Sequence, residues 1–119
     1  TKKMKIFIGI LTFFIFGFTV LRQDSFTGIA SYYHDKMHGN RTASGERYHK
    51  DSLVCAHASF AFGTRLTVTN LKNDSMRVIK VIDRISKKSN HIIDVSSGAA
   101  KQLGFYRDGV ARVKIQVMK

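Results

Sequence analysis

The sequence predicts an all-β domain of the small-barrel class. Short stretches of strand-forming residues recur along the chain, turn residues separate them, and helical signals are confined to one or two brief stretches. Proline is absent, so the turns must be built from Gly, Asn, Asp and Ser. Five or six short strands with so little helix favour a strand arrangement closed into a barrel.

The first 23 residues differ in character from the rest of the chain. Three lysines precede an apolar run over residues 6–21, which is the pattern of a secretory signal peptide. The run is short for a membrane-spanning helix, which needs about 20 apolar residues. An uncleaved membrane anchor through this run is the alternative. We therefore expect residues 1–23 to be a signal or anchor helix and residues 24–119 to be one exported domain.

The first half of the domain is predicted to hold strands on either side of a long loop. Residues 28–33 are rich in β-favouring side chains, whereas residues 34–46 are polar and contain two glycine turn signals. Residues 53–62 are mainly apolar and do not distinguish strand from helix. Long loops in compact domains are often functional, so residues 34–46 are expected to border a site.

The second half begins with a predicted hairpin over residues 65–82. Its two arms are separated by a turn at Asn73-Asp74, and the second arm is apolar on both faces, which suits a barrel wall. Residues 91–95 are predicted to form a further short strand. Residues 111–117 alternate between apolar and polar side chains and give the clearest amphipathic strand of the chain.

One brief helix is predicted between the last two strands. Ser96 or Ser97 is the expected N-cap, the helix covers residues 98–103, and Gly104 ends it. Asp94 lies just before these serines and is expected to be a cap-like structural acid rather than a catalytic residue.

The charge of the chain indicates an affinity for polyanions. The formal net charge is +12, and without the four basic residues of the first 23 positions 16 basic residues stand against 8 acidic ones, which leaves +8. Such a surface favours acidic glycans, anionic lipid headgroups or nucleic acid, and export argues against nucleic acid. The basic residues are scattered, so a solvated surface is the simplest interpretation.

The cysteine and histidines give no sign of a cofactor or metal. Cys55 is the only cysteine, so an intrachain disulfide is excluded. Its position two residues before His57 permits a Cys/His nucleophile, but a buried thiol on a strand is the favoured interpretation. The five histidines fit no zinc-binding spacing, so neither metal nor cofactor is expected.

Three residues are the candidate catalytic side chains of the sequence. Asp83 follows an apolar strand, His57 follows the 53–56 segment, and Glu46 lies in the long polar loop. Two carboxyl groups and an imidazole are the groups that glycoside cleavage uses for proton transfer.

The same residues lie in seven blocks whose order and spacing resemble a known family. The blocks are Gly28-Ile29-Ala30-Ser31-Tyr32-Tyr33, Thr42-Ala43-Ser44-Gly45-Glu46-Arg47-Tyr48, Ala56-His57, Gly63-Thr64, Val68-Thr69-Asn70-Leu71, Ile82-Asp83-Arg84 and Ile92-Ile93-Asp94-Val95-Ser96. Together they resemble the rare lipoprotein A (RlpA) family over about residues 27–119. The resemblance implies a six-stranded double-psi β-barrel related to those of expansins and barwin.

The resemblance also implies an activity in the bacterial cell envelope. Family members are endolytic peptidoglycan lytic transglycosylases, which cleave the MurNAc–GlcNAc linkage and leave 1,6-anhydro ends. The C6 hydroxyl of the muramic acid residue is the nucleophile, so one acid/base can suffice, because an intramolecular nucleophile has a high effective molarity. By position that role falls on Asp83, with His57 orienting Asp83 or binding a sugar hydroxyl, and Glu46 as the further acid.

The expected partner is a peptidoglycan glycan strand, bound by a monomer in a groove over the barrel. Tyr32, Tyr33 and Tyr48 are candidate stacking platforms for sugar rings, or else rim packing, and Arg84 is a candidate substrate-binding residue. The chain departs from the family pattern in three places, which are Ser31-Tyr32-Tyr33-His34 in place of Ser-Trp-Tyr-Gly, His49 in place of aspartate, and Ile85-Ser86 in place of Gly-Pro. These departures keep open an expansin-like wall-binding module without turnover and, third, a secreted inhibitor or effector on the same barrel.

Overall fold

The computed structural model describes residues 24–119, and the expected signal or anchor segment lies outside them. Within the described part, six strands form a closed barrel. The strands are β1 (Phe26–Tyr32), β2 (Val54–Ala56), β3 (Arg65–Asn70), β4 (Met76–Asp83), β5 (Ile93–Val95) and β6 (Ala111–Val117). The prediction of an all-β, six-stranded double-psi barrel with little helix is confirmed.

The order of the strands around the barrel is β1-β5-β2-β4-β3-β6. β1 pairs with β5 and β2 pairs with β4 in parallel, and the other four pairings are antiparallel. Only the β3–β4 pair joins neighbours in sequence, and this is the predicted hairpin. Closure leaves no free sheet edge for pairing with another chain.

The barrel interior is filled by alternate residues of every strand. Leu66 and Val68 of β3 point into the core beside Val113 and Ile115 of the neighbouring strand β6, and all four side chains are fully buried. Each buried aliphatic side chain of this size contributes about 1.5–3 kcal/mol to stability. The remaining members of this core are Ala30, Cys55, Ile79, Val81, Ile93, Val95, Ala99, Ala100, Leu103 and Phe105.

A second, smaller apolar cluster lies on the outer face of the barrel wall. It consists of Tyr48, Val54 and Ile82, with Tyr33 and Met37 packed against it. This cluster joins the long loop after β1 to the ends of β2 and β4, which are the segments that carry the candidate site residues.

The one α-helix of the described residues, α1 (Ser97–Leu103), has the caps that the sequence predicts. The Ser96 hydroxyl accepts a hydrogen bond from the Ala99 N–H at 3.0 Å, and Gly104 ends the helix in a left-handed conformation. Asp94 is not a cap, because it lies within β5 and Ser96 has that role. The expectation of a cap-like structural acid at Asp94 is therefore wrong.

The apolar 53–62 segment contains only a three-residue strand, β2, followed by turns. The long polar loop contains a short 3₁₀ turn at Asp35–Met37 and one isolated bridge between Arg41 and Arg47. Within residues 24–119 no helix has the length and apolarity needed to cross a membrane.

Candidate active site

Asp83 ends β4 at an irregularity in the pairing with β2. Cys55 lies opposite Val81, but Ala56 lies opposite Asp83, so Ile82 is the extra residue of a β-bulge. A bulge changes the face to which the next side chain points. Asp83 is thereby turned away from the barrel core and towards the outer cluster, where Tyr33 lies.

Both carboxylate oxygens of Asp83 accept hydrogen bonds. The Tyr33 hydroxyl donates to Oδ2 at 2.5 Å, and the Ala43 N–H donates to Oδ1 at 2.9 Å. The loop that supplies Ala43 is itself fixed to the end of β4, since the Ser44 N–H donates to the Ile82 carbonyl at 3.1 Å. The long polar loop therefore borders the site, as expected, and holds the carboxylate through its backbone.

Tyr33 is held by a second tyrosine beneath it. Its ring stacks on Tyr48, with ring centroids 4.3 Å apart and planes inclined by 14°. The Tyr48 hydroxyl in turn accepts the Ser97 N–H at the start of α1, at 3.1 Å. Burial and the hydrogen bond to Asp83 raise the pKa of Tyr33, so its hydroxyl remains a proton donor towards Asp83 at neutral pH.

His57 follows directly after β2, and its ring lies near Phe60 and Arg84. The His57 N–H donates to the Asp83 carbonyl at 3.1 Å, and its ring stacks on Phe60 with centroids 4.2 Å apart. Nδ1 accepts the N–H groups of Ser59 and Phe60, both at 3.1 Å. Burial and then the charge of Arg84 lower the pKa of His57. The ring is therefore neutral at pH 7, with its proton on Nε2 as a hydrogen-bond donor.

Arg84 points to the other side of the strand end from its neighbour Asp83. Its guanidinium lies 4.1 Å from the centroid of the Phe62 ring, and it makes a long hydrogen bond to the Asp83 carbonyl at 3.4 Å. Arg84 is exposed and makes no hydrogen bond to the Asp83 carboxylate. Its positive charge is therefore open to solvent at the end of β4.

Glu46 belongs to the loop that binds Asp83 but makes its own ion pair. Its Oε1 lies 3.1 Å from Lys80 Nζ, and its side chain is 52% exposed. Its backbone carbonyl accepts hydrogen bonds from the Thr42 N–H and hydroxyl, which close the turn containing Ala43. The contacts of Glu46 thus support the turn rather than Asp83 or His57 directly.

The three tyrosines expected to stack on sugars have different environments. Tyr48 is 1% exposed, so its ring is covered by Tyr33 and offers no face to a sugar. Tyr32 points away from Tyr33, donates its hydroxyl to the Tyr106 carbonyl at 2.8 Å and stacks on the Tyr106 ring. Tyr33 is the one of the three that contacts Asp83, and it does so through its hydroxyl.

Asp94 is the site residue whose position sequence reasoning missed. It lies on β5 opposite Ala56, and Ala56 in turn lies opposite Asp83 on its other side. Its Oδ1 is buried and has no well-formed hydrogen bond, and the His91 imidazole lies nearby, with Nδ1 at 3.4 Å. Burial raises the pKa of Asp94, and nearby His91 partly offsets this. The available signal was an acid at the end of β4 and another within β5, but the pairing of both strands with β2 is not visible in the sequence.

Cys55 faces the barrel core and not the site. It is fully buried, and burial raises the pKa of its thiol to about 12, so a thiolate is not present at neutral pH. Among residues 24–119 there is no group of three or more His, Cys, Asp or Glu side chains placed to hold a metal ion.

Comparison with known proteins places this fold and these residues in a family context. Residues 25–115 match the family model described as lytic transglycolase. The chain is 41% identical over 92 residues to a probable endolytic peptidoglycan transglycosylase RlpA of Synechocystis, a match that covers 77% of this chain and 29% of that protein. It is 42% identical over 90 residues to the endolytic peptidoglycan transglycosylase RlpA of Neisseria meningitidis, covering 76% and 38% respectively.

Among solved structures, the barrel is similar to that of an expansin from Clavibacter michiganensis. The TM-score is 0.64 at 23% identity, and the match covers 81% of this chain and 51% of the expansin. At this identity the likeness concerns the fold. The chain spans between about a quarter and two fifths of the length of the RlpA relatives that it matches.

Proposed function

The chain belongs to the lytic transglycolase family, and from that premise we propose that residues 24–119 form a peptidoglycan lytic transglycosylase domain. Its substrate would be a glycan strand of the bacterial cell envelope, cleaved between MurNAc and GlcNAc to leave a 1,6-anhydro end. The observation that carries this proposal is the Asp83 carboxylate, which the Tyr33 hydroxyl and the Ala43 N–H hold at the outer end of the barrel wall. The neutral His57 is joined to Asp83 by a backbone hydrogen bond.

The reaction needs a group that takes the proton of the attacking C6 hydroxyl. Asp83 is suited to this because it is half-buried, fixed at both oxygens and still has a free lone pair on each of them. Attack of the C6 oxygen on C1 of the same sugar forms the anhydro ring, so no water has to be positioned. Holding these atoms in reacting geometry contributes a large part of the rate enhancement.

His57 complements Asp83 as a donor rather than as a base. With Nδ1 occupied by two backbone N–H groups, its Nε2–H is the part of the ring left to bind substrate. A neutral donor at this place can bind a sugar oxygen on which negative charge develops. Arg84, on the neighbouring surface, would bind acidic groups of the wall polymer through its positive charge.

The departures from the family pattern do not disturb these contacts. His49 lies on the exposed side of the long loop, where its ring meets His38 edge-on at 4.6 Å and its Nδ1 accepts the Asp51 N–H. Ile85 and Ser86 follow Arg84 and take no part in binding the Asp83 carboxylate. Retention of the carboxylate and its two donors favours turnover over a binding module.

The test is cleavage of glycan strands from which the peptides have been removed. Wild-type protein should produce 1,6-anhydro ends detectable by mass spectrometry, and Asp83→Asn should lower the rate about 10²–10⁴-fold, the usual contribution of one acid–base group. Asp35→Asn is the matched control, because Asp35 is exposed on the 3₁₀ turn of the long loop and carries the same charge. It should cleave at the wild-type rate.

Binding of glycan strands by the wild-type protein without anhydro ends would contradict turnover and support the expansin-like binding module. Equal cleavage by wild type and Asp83→Asn would remove Asp83 from the reaction. Export to the envelope, anchoring through residues 6–21 and a monomeric state remain predictions that accompany this proposal.

A further inference from the structure

Two acidic residues of the barrel wall, Asp83 and Asp94, lie in register with the same residue of the strand between them. Ala56 of β2 pairs with Asp94 of β5 on one side and with Asp83 of β4 on the other. We propose, on the basis of the proposed function, that Asp94 is the proton-donating carboxyl of the site and Asp83 the proton-accepting one.

The register of the strands brings the two acids together. Two strand spacings of about 4.8 Å separate their Cα atoms by roughly 10 Å. The residue between them is alanine, whose methyl group is small and 1% exposed, so no large side chain of β2 itself separates the two acids. The bulge at Ile82 is necessary for this arrangement, because without it Ile82 rather than Asp83 would lie opposite Ala56.

The surroundings of the two acids favour different protonation states, as a proton donor and a proton acceptor require. Asp83 accepts hydrogen bonds at both oxygens, and these donors complement a carboxylate. Asp94 has a buried Oδ1 without a well-formed hydrogen bond, and burial raises its pKa, which favours the protonated form. Paired carboxyls in contrasting environments commonly divide the acid and base roles.

Other groups that face Asp94 act on its charge in known directions. His91, at 3.4 Å, favours the charged form of Asp94, while the charge of Asp83 disfavours it. Tyr33 from the end of β1 and Cys55 from β2 also lie within electrostatic range, and both are neutral at pH 7 because burial raises their pKa values. The side chain of Asp94 is 29% exposed, so it can meet a substrate oxygen.

The reaction step balances with these two groups and the substrate alone. The C1–O4 bond between MurNAc and GlcNAc breaks as the Asp94 proton passes to O4. The C6 oxygen of the same MurNAc bonds to C1 while its proton passes to Asp83. No water or oxidant is consumed, and proton exchange with solvent restores both carboxyls to their starting states.

A leaving-group experiment tests this assignment. Asp94→Asn is compared with wild type on peptide-free glycan strands, whose sugar leaving group needs a proton, and on the 4-nitrophenyl glycoside of GlcNAc–MurNAc, whose leaving group departs as a stable anion. We expect Asp94→Asn to lose about 10²–10⁴-fold on the strands and to stay within about tenfold of wild type on the aryl glycoside. Asp83→Asn should lose activity on both substrates.

A pH profile provides a second readout that a structural role would not produce. Wild-type cleavage of strands should fall at high pH as Asp94 loses its proton. In His91→Gln this fall should move to higher pH, because the imidazole no longer lowers the pKa of Asp94. His49→Gln, which alters an exposed histidine of the long loop, should leave the profile unchanged. Asp94→Glu, which restores the carboxyl, should recover part of the activity on strands.

Equal losses by Asp94→Asn on both substrates, or no loss on strands, would overturn the assignment of Asp94. Failure of wild-type protein to form any anhydro ends would instead overturn the proposed function, and this inference with it. Circular dichroism and thermal unfolding of each variant identify any loss of activity that comes from misfolding. If Asp94→Asn is misfolded, the activity of Asp94→Glu and the pH profile of His91→Gln test the assignment instead.

Discussion

At the scale of single residues, the site depends on how Asp83 is held. Its carboxylate has one donor from a side chain, Tyr33, and one from the backbone, at Ala43. The family resemblance pointed to Asp83 and His57, whose backbones are joined by a hydrogen bond. The Tyr33–Asp83 hydrogen bond and the common register of Asp83 and Asp94 with Ala56 join residues far apart in sequence.

Removal of the Tyr33 hydroxyl tests the role of the side-chain donor. Tyr33→Phe keeps the ring stacked on Tyr48 but deletes the 2.5 Å hydrogen bond to Asp83. A hydrogen bond to a charged group contributes about 1.5–3 kcal/mol, so we expect the cleavage rate to fall roughly 10–100-fold with the fold retained. The measurement is release of anhydro ends under saturating glycan.

Tyr106→Phe is the control for this change, because Tyr106 stacks on Tyr32 rather than on Tyr48 and lies outside the outer cluster. It should keep the wild-type rate. A Tyr33→Phe variant as active as wild type would mean that the backbone donor at Ala43 alone holds the carboxylate.

At the scale of elements, the start of α1 contacts Tyr48, on which the ring of Tyr33 stacks. The Ser97 N–H binds the Tyr48 hydroxyl, and Gly98 lies so close to the preceding loop that a Cβ there would come within 2.9 Å of the Lys50 carbonyl oxygen. The helix is short, and packing and its caps hold it rather than propensity. Its N-cap therefore matters to the loop that carries Tyr48.

Replacement of the N-cap tests this support. Ser96→Ala removes the hydroxyl that caps the Ala99 N–H and that also donates to the Ser52 carbonyl. We expect the free energy of unfolding to fall by about 1–2 kcal/mol, the usual cost of losing a helix N-cap. Urea unfolding measures it. Ser59→Ala, at an exposed serine, should change the unfolding free energy by less than about 0.5 kcal/mol, and an equal loss in both would refute the role of the cap.

At the scale of the whole molecule, closure of a barrel from short strands places a polar site on an apolar wall. The wall gains its stability from the filled interior, and the site lowers that stability where a carboxyl is buried without full compensation. Asp94 is the clearest case, since its Oδ1 is buried without a well-formed hydrogen bond. Groups kept in such positions are often functional.

The pH dependence of unfolding tests this cost. The pKa of Asp94 is raised in the folded state, so folding binds its proton more tightly than the unfolded chain does. Its contribution to stability is therefore complete below its unfolded pKa and is lost as the pH rises through the folded pKa. We expect Asp94→Asn to unfold at a higher temperature than wild type at pH 7, with the difference shrinking as the pH is lowered through the raised pKa of Asp94.

Calorimetry at several pH values provides the measurement. Asp35→Asn, at an exposed acid, should show no such pH-dependent difference from wild type. A wild-type protein more stable than Asp94→Asn at pH 7 would show that the His91 ion pair outweighs the burial of Asp94.

The sequence by itself determined the features that depend on near neighbours. The β3–β4 hairpin, the amphipathic β6 and the capped α1 follow from alternation, turn residues and cap residues within a few positions of each other. The short β2 could not be distinguished from a helical segment in the sequence, because three buried residues carry no periodicity. They gain their strand conformation only by pairing with β4 and β5.

Only the tertiary structure decided how the acids of the site relate to each other. Asp83 and Asp94 lie on strands that are not paired with each other, and β2 places both opposite Ala56 with the help of the β4 bulge at Ile82. One residue of register alters which side chain lies opposite Ala56, and register between distant strands is set by packing of the whole barrel. The same packing buries Tyr48 and leaves Tyr33 half-buried, which no local pattern could distinguish.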